Sequence, residues 1–227
     1  MGWIVTEPTL SSQALTIAGR DIQRERRRGE VLWVILPFGA IAMLLIPFGI
    51  GIDTPMLRRI GPGLFWVVVL LFGVLVTVRR TAADTDTEQA LMLRLGVDPV
   101  AELLGRSAAS VAMLIGFQLV VGAVTIALYD VDIARWPVLI ALVPLVAIGL
   151  GLLGTIAGGI SGSSGGANLV PFLVAPLAIP LLLAATQSMD GSTPTGGILG
   201  WLLLIVVVDI VLAVIGVLTA RPLQEIR

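Results

Sequence analysis

The chain has 227 residues, of which 57% are apolar and only 13% charged, with a net charge of −1 and a mean hydropathy of +1.03. Soluble domains carry about 25% charged residues, so a water-surrounded globule is excluded, and the near-neutral charge gives no ground for nucleic-acid binding. Cysteine, histidine and lysine are all absent and the 14 basic residues are all arginine. That excludes disulfides, thiolate or imidazole metal sites, a histidine base, a Schiff-base lysine and a phosphate-loop lysine. If the protein depends on ATP, another chain must bind it.

Residues 1–30 are expected to form a cytoplasmic segment, mostly polar and without the grammar of a signal peptide. Ser11 or Ser12 can cap a helix in which Leu15, Ala18 and Ile22 recur at spacings of three and four. Arg20, Arg24, Arg26, Arg27 and Arg28 follow, and Gly29 ends the segment. Such an amphipathic helix would lie in the headgroup plane with its arginines on anionic lipid. The plainer alternative is a basic tail that only sets topology.

About 20 apolar residues suffice to cross the hydrocarbon core as a helix. Six runs meet that length: Val31–Ile52, Ile60–Val78, Ser107–Tyr129, Trp136–Gly158, Leu169–Met189 and Ile198–Thr219. They predict an all-α integral membrane protein, a six-helix transmembrane bundle over residues 31–220 with a tail at 221–227. Eleven of the 14 arginines fall on the side of both termini, leaving Arg58, Arg59 and Arg135 opposite, which makes that side cytoplasmic. Trp66, Trp136 and Trp201 lie near span ends, where interfacial anchors belong.

The longest cytoplasmic connection is residues 81–106. Thr85 to Glu88 has the form of a capping box, so a helix is expected from Asp86 through Gln89, Leu91 and Leu95, with Gly96 stopping it. Asp98 then caps a second helix with Pro99 at its first position, continuing through Glu102 and Arg106 into the third span. A short helix held under the membrane by two spans is placed to dock a partner, with Glu88, Gln89, Leu91 and Leu95 as candidates. An ordinary solvated loop helix is the alternative.

Span four carries Gly149, Gly151, Gly154 and Gly158, and the last two have the small-xxx-small spacing of close helix packing. Residues 158–166, GGISGSSGG, read as a flexible cytoplasmic turn, since a phosphate loop needs lysine. Span five holds Pro171, Pro176 and Pro180, which remove backbone donors and are candidates for a helix break. Asp209 lies near the middle of span six and needs a partner, for which Gln118 in span three is the candidate. The pair is either a polar point on a substrate path or an interhelical hydrogen bond.

Three stretches carry a family resemblance. RRIGPGLFWVVVLL at Arg58–Leu71, DTDTEQALMLRLGVDP at Asp84–Pro99 and FLVAPLAIPLLLAATQSMDG at Phe172–Gly191 resemble the haem exporter protein B (CcmB) family, whose loop pair is matched by Glu88-Gln89. The Pro-Leu-x-Ile-Pro core of the third stretch is the most specific, and length and span count extend the likeness over the whole chain. Thr87 stands where the family usually has leucine, and residues 158–166 lack the basic residues many members carry.

The resemblance implies ABC-2-type permease architecture in the bacterial cytoplasmic membrane. It further implies a homodimer paired with a CcmA-like ATPase that binds the ATP. CcmC-, CcmD- and CcmE-like proteins would be partners in cytochrome c biogenesis, with haem as the handled species. No cofactor is expected on this chain, because histidine and cysteine are absent. An ABC-2-type exporter of a drug, lipid or polysaccharide is the rival; a membrane-embedded enzyme lacks a nucleophile–base pair, and a passive scaffold does not need the three-proline helix.

Overall fold

The computed structural model describes residues 9–29, 34–51, 54–83, 96–129, 136–163, 169–189 and 195–225. Seven α-helices account for nearly all of them: α1 Leu10–Arg28, α2 Leu36–Ile50, α3 Thr54–Ala83, α4 Pro99–Tyr129, α5 Trp136–Ser163, α6 Val170–Met189 and α7 Thr195–Glu225. Helices α3 to α7 each contain a stretch long and apolar enough to cross a membrane, whereas the apolar part of α2, Leu36–Gly49, is shorter. The protein is therefore a multi-pass membrane protein with five membrane-length helices among the described residues. The first expected span, Val31–Ile52, is represented by α2, and residues 30–33 and 52–53 lie outside the described ones.

Close approaches fix the directions. Gly61 meets Tyr129, Gly122 meets Phe65 and Gly73 meets Leu114, so α3 and α4 run antiparallel. Gly154 meets Thr77 and Gly158 meets Thr81, so α5 runs parallel to α3. Gly149 meets Asp209 and Gly216 meets Ile156, so α7 is parallel to α5. The end where α3 stops and α4 starts is called the base below. Helix α5 is central, packing on α3, α4, α6 and α7. The core is apolar and includes Trp66, Phe72, Phe117, Leu142, Leu181 and Ile205. The Phe72 and Phe117 rings stack 3.7 Å apart across α3 and α4. Outward faces stay apolar as well, with Phe38, Phe48, Phe172, Leu199, Leu203 and Leu218 exposed, as a lipid-solvated surface requires.

Helix starts and stops follow local chemistry. Thr9, not Ser11 or Ser12, caps α1, its hydroxyl accepting from the Ser12 amide at 3.4 Å. Gly29 closes that helix in the left-handed region at φ 69°, its amide donating to the Glu25 carbonyl at 2.7 Å. Asp98 starts α4 as expected, its Oδ1 accepting from the Val100 amide at 2.8 Å. Gly96, at φ 66°, adopts the conformation that stops helices. In α2, Pro47 cannot donate to the Met43 carbonyl, and the Tyr129 hydroxyl of α4 donates to it instead at 2.9 Å.

Two further expectations need correction. Trp66 is not an interfacial anchor: α3 begins at Thr54 rather than Ile60, which places Trp66 three turns deep, 1% exposed and edge-on to Phe65. The 158–166 turn is helical through Ser163, because Gly154 and Gly158 let α5 pack tightly on the Thr77 and Thr81 hydroxyls. Residues 164–168 lie outside the described ones.

Candidate functional site

Two polar regions stand out from the apolar bundle. The first is the base, where α1 docks. Gly105 of α4 is the seat: a Cβ there would lie 2.7 Å from the Ala14 carbonyl oxygen and 2.8 Å from the Ile17 Cβ. Ile17 and Ala18 are buried, whereas Leu15 is 73% exposed. Ile17 and Ala18 thus cover α4, and Leu15 points away from it. The Asp98 amide donates to the Gln13 side-chain oxygen at 3.1 Å, so α1 follows the first turns of α4 in the same direction.

A charged clamp completes this contact. Arg80 of α3 reaches the Arg106 carbonyl at 3.2 Å and the Ser110 hydroxyl at 2.5 Å through Nη1, and Asp21 at 3.0 Å through Nη2. Arg106 pairs with Glu102 one turn earlier at 3.0 Å. In the sequence Arg80 is one of the eleven arginines that set topology, and Asp21, Ser110 and Gln13 do not stand out, because partners so distant along the chain leave no periodic signal. Glu88, Gln89, Leu91 and Leu95 belong to residues 84–95, outside the described ones, and only their flanks at Ala83 and Gly96 are placed.

The second region is the midplane. Asp209 stands at the middle of α7, 7% exposed, against Gly149 of α5 and Leu181 of α6. Gln118 is 1% exposed in α4. Neither carboxyl oxygen of Asp209 and neither amide atom of Gln118 has a hydrogen-bond partner in the structure. The expected pair is not formed, and helix register explains why. Gly151 faces Val111 while Gly149 faces Asp209, so Gln118, seven residues beyond Val111 on a helix antiparallel to α5, is displaced from the carboxyl by ~7 Å along the bundle.

The three prolines are also placed. Pro171 sits in the first turn of α6, where a missing amide donor costs nothing. Pro176 and Pro180 lie inside the helix, on its exposed face, and the helix runs unbroken through both. Interior prolines are not special to α6, since Pro47, Pro62 and Pro144 occupy α2, α3 and α5.

A bundle of membrane-length helices with a docked N-terminal helix and a clamped polar base defines a polytopic membrane protein rather than a soluble enzyme fold. The CcmB protein family model matches residues 12–222, and the chain belongs to that family. It is 28% identical over 172 residues to "Heme exporter protein B" of Paracoccus denitrificans (strain Pd 1222), covering 75% of this chain and 79% of that one. Against "Heme exporter protein B" of Haemophilus influenzae it is 27% identical over 188 residues, covering 81% and 85%. The Pseudomonas aeruginosa protein of the same name is 29% identical over 191 residues, covering 82% and 86%.

Proposed function

We propose that this chain is the permease subunit of an ATP-binding-cassette complex for cytochrome c-type biogenesis, supporting haem export or release of the haem chaperone at the bacterial cytoplasmic membrane. The family match over residues 12–222 carries the reading. On it, α2 and the residues flanking it complete six spans, the base faces the cytoplasm with both termini, and haem is cargo rather than a resident cofactor. A CcmA-like ATPase supplies hydrolysis, and CcmC-, CcmD- and CcmE-like proteins complete the complex. The chain acts as a homodimer; on α2, Phe38, Ile41, Leu45 and Phe48 are exposed at the alternating spacing of a helix–helix seam.

The ATPase docks on the segment between α3 and α4, where Glu88, Gln89, Leu91 and Leu95 are the contact candidates. Support comes from the antiparallel packing of α3 and α4, which presents that segment at the base, and from the missing phosphate-loop lysine. Purified alone, the chain should hydrolyse no ATP, and hydrolysis should appear when the ATPase subunit is added. Glu88→Lys or Leu91→Asp should weaken co-purification of that subunit while membrane insertion is unchanged. Hydrolysis by the single chain would overturn the reading; intact co-purification in both variants would move the docking surface to residues 158–166.

A further inference from the structure

The two helices that bound the segment between α3 and α4 are tied together by one side chain near the base. Arg80 lies one turn before the end of α3 and spans two other helices, reaching Arg106 and Ser110 on α4 and Asp21 on α1. The contact is largely shielded, with Arg80 26% and Asp21 15% exposed. A guanidinium holds its donors in a planar fork, so it can serve two helices at once; an ammonium is a single point. On either side of the fork the helices are already fixed. Thr77 and Thr81 sit against Gly154 and Gly158 of α5, and Ala14 and Ile17 sit against Gly105 of α4. Gly96, in its left-handed conformation, stands at the other root of the segment as a joint. Without a brace, a push on the segment would be absorbed by bending there.

We propose that Arg80 is a positioning residue for energy coupling: by bracing α1, α3 and α4 at the roots of residues 84–95, it makes those helices move as one body when the bound ATPase displaces the segment. This rests on the permease reading above. It assigns the arginine a geometric task that a topology charge does not have, and it makes α1 a working part of the transmission.

The test uses the complete complex with its ATPase subunit. Arg80→Ala should insert, bind the ATPase and hydrolyse ATP within about twofold of wild type, while mature cytochrome c falls by roughly tenfold or more, as expected for losing a shielded charge-assisted link. Asp21→Ala cuts only the α1 arm and should show a smaller split in the same direction, and the double variant should be no worse than Arg80→Ala, which has already lost the Asp21 link. Arg80→Lys keeps the charge without the fork and should recover little; Arg79→Ala, an exposed neighbour, should mature cytochrome c normally. Normal maturation in Arg80→Ala, full recovery in Arg80→Lys, or an equal loss in Arg79→Ala would overturn the proposal. So would loss of insertion or ATPase binding in proportion to maturation, since that is a folding role. A wild-type chain that binds no ATPase would instead overturn the permease reading and leave the clamp as a structural contact.

Discussion

The base and the midplane treat polar side chains in opposite ways. At the base, Arg80, Asp21, Ser110, Gln13 and Asp98 are joined across three helices by hydrogen bonds and ion pairs. At the midplane, Asp209, Gln118 and the indole nitrogen of Trp66 are buried with no partner in the structure. The base has unpartnered buried atoms too, at Ser107, Ser161 and the Arg20 Nε, but the hydroxyls are small and neutral and the Arg20 guanidinium keeps an ion pair to Asp21 at 3.5 Å. A buried polar group left unsatisfied costs about 1–3 kcal/mol, more if charged. The polar groups at the base are thus explained by the fold they hold together. Those at the midplane oppose folding and need another reason to be there.

The largest expected effect tests the base. Gly105→Leu drives a side chain into the Ala14 carbonyl, only 2.7 Å from where the Cβ must sit, and backbone cannot swing aside. Overpacking of this kind costs about 1–3 kcal/mol or more, enough to lever α1 off α4. Trypsin should then cut at Arg24–Arg27 much faster than in wild type. Gly116→Leu on the same helix has nothing within 4 Å of its Cβ and should leave cleavage unchanged. Equal cleavage in wild type and Gly105→Leu would mean that α1 is not seated on α4.

How much of this was legible depended on whether the signal was local. The long helices followed from apolar run length, and the Gly29 and Asp98 boundaries from capping chemistry, because each needs only neighbours in sequence. The buried face of α1 did not. Leu15, Ala18 and Ile22 share a helical face, but periodicity cannot say what covers it, and the seat at Gly105 rotates Ile17 inward and Leu15 outward. Arg80 illustrates the same limit, since Asp21 is 59 residues away in sequence. The Asp209–Gln118 pairing is not formed for a related reason: both side chains lie at mid-membrane, but the register between α4 and α7, which touch where Gly216 meets Leu103, is set by glycine contacts that no single span reveals.

An intermediate effect is expected at the α6 prolines, where the comparison can be broken from the lipid side. Pro47 frees the Met43 carbonyl, which Tyr129 then satisfies. Pro176 and Pro180 likewise deprive the carbonyls of Phe172 and Pro176 of their helical donors. Alanine at both positions should restore the backbone bonds, worth up to about 3 kcal/mol each in a helix interior, so chain levels should hold or rise. If the weakened helix is used in the transport cycle, haem-stained cytochrome c should fall severalfold despite that gain. Normal cytochrome c in the double variant would make both prolines packing features and leave Asp209 and Gln118 as the midplane features still needing a cause.

The smallest effect, and the sharpest for the comparison, is at Asp209 itself. Leucine branches at the same carbon as aspartate, so Asp209→Leu replaces two unpartnered oxygens with methyl groups in a site walled by Gly149 and Leu181. Replacing a buried polar group by an apolar one of similar shape is often neutral or stabilising, so the thermal midpoint of the detergent-solubilised chain should stay level or rise, by about 1–2 kcal/mol of stability. Asp209→Asn keeps polar atoms without a partner and should change little. Gly149→Ala would put a Cβ 2.6 Å from a carboxyl oxygen and 2.7 Å from a Leu181 methyl, so its cost should shrink in an Asp209→Ala background, which a double-mutant cycle would register as coupling. A lower midpoint in Asp209→Leu would show that the carboxyl has a stabilising partner in the membrane, in a neighbouring chain or water, and the contrast with the base would collapse. A higher midpoint with cytochrome c maturation lost is the opposite case: a carboxyl kept against the stability of the bundle, as intramembrane charges retained for function are.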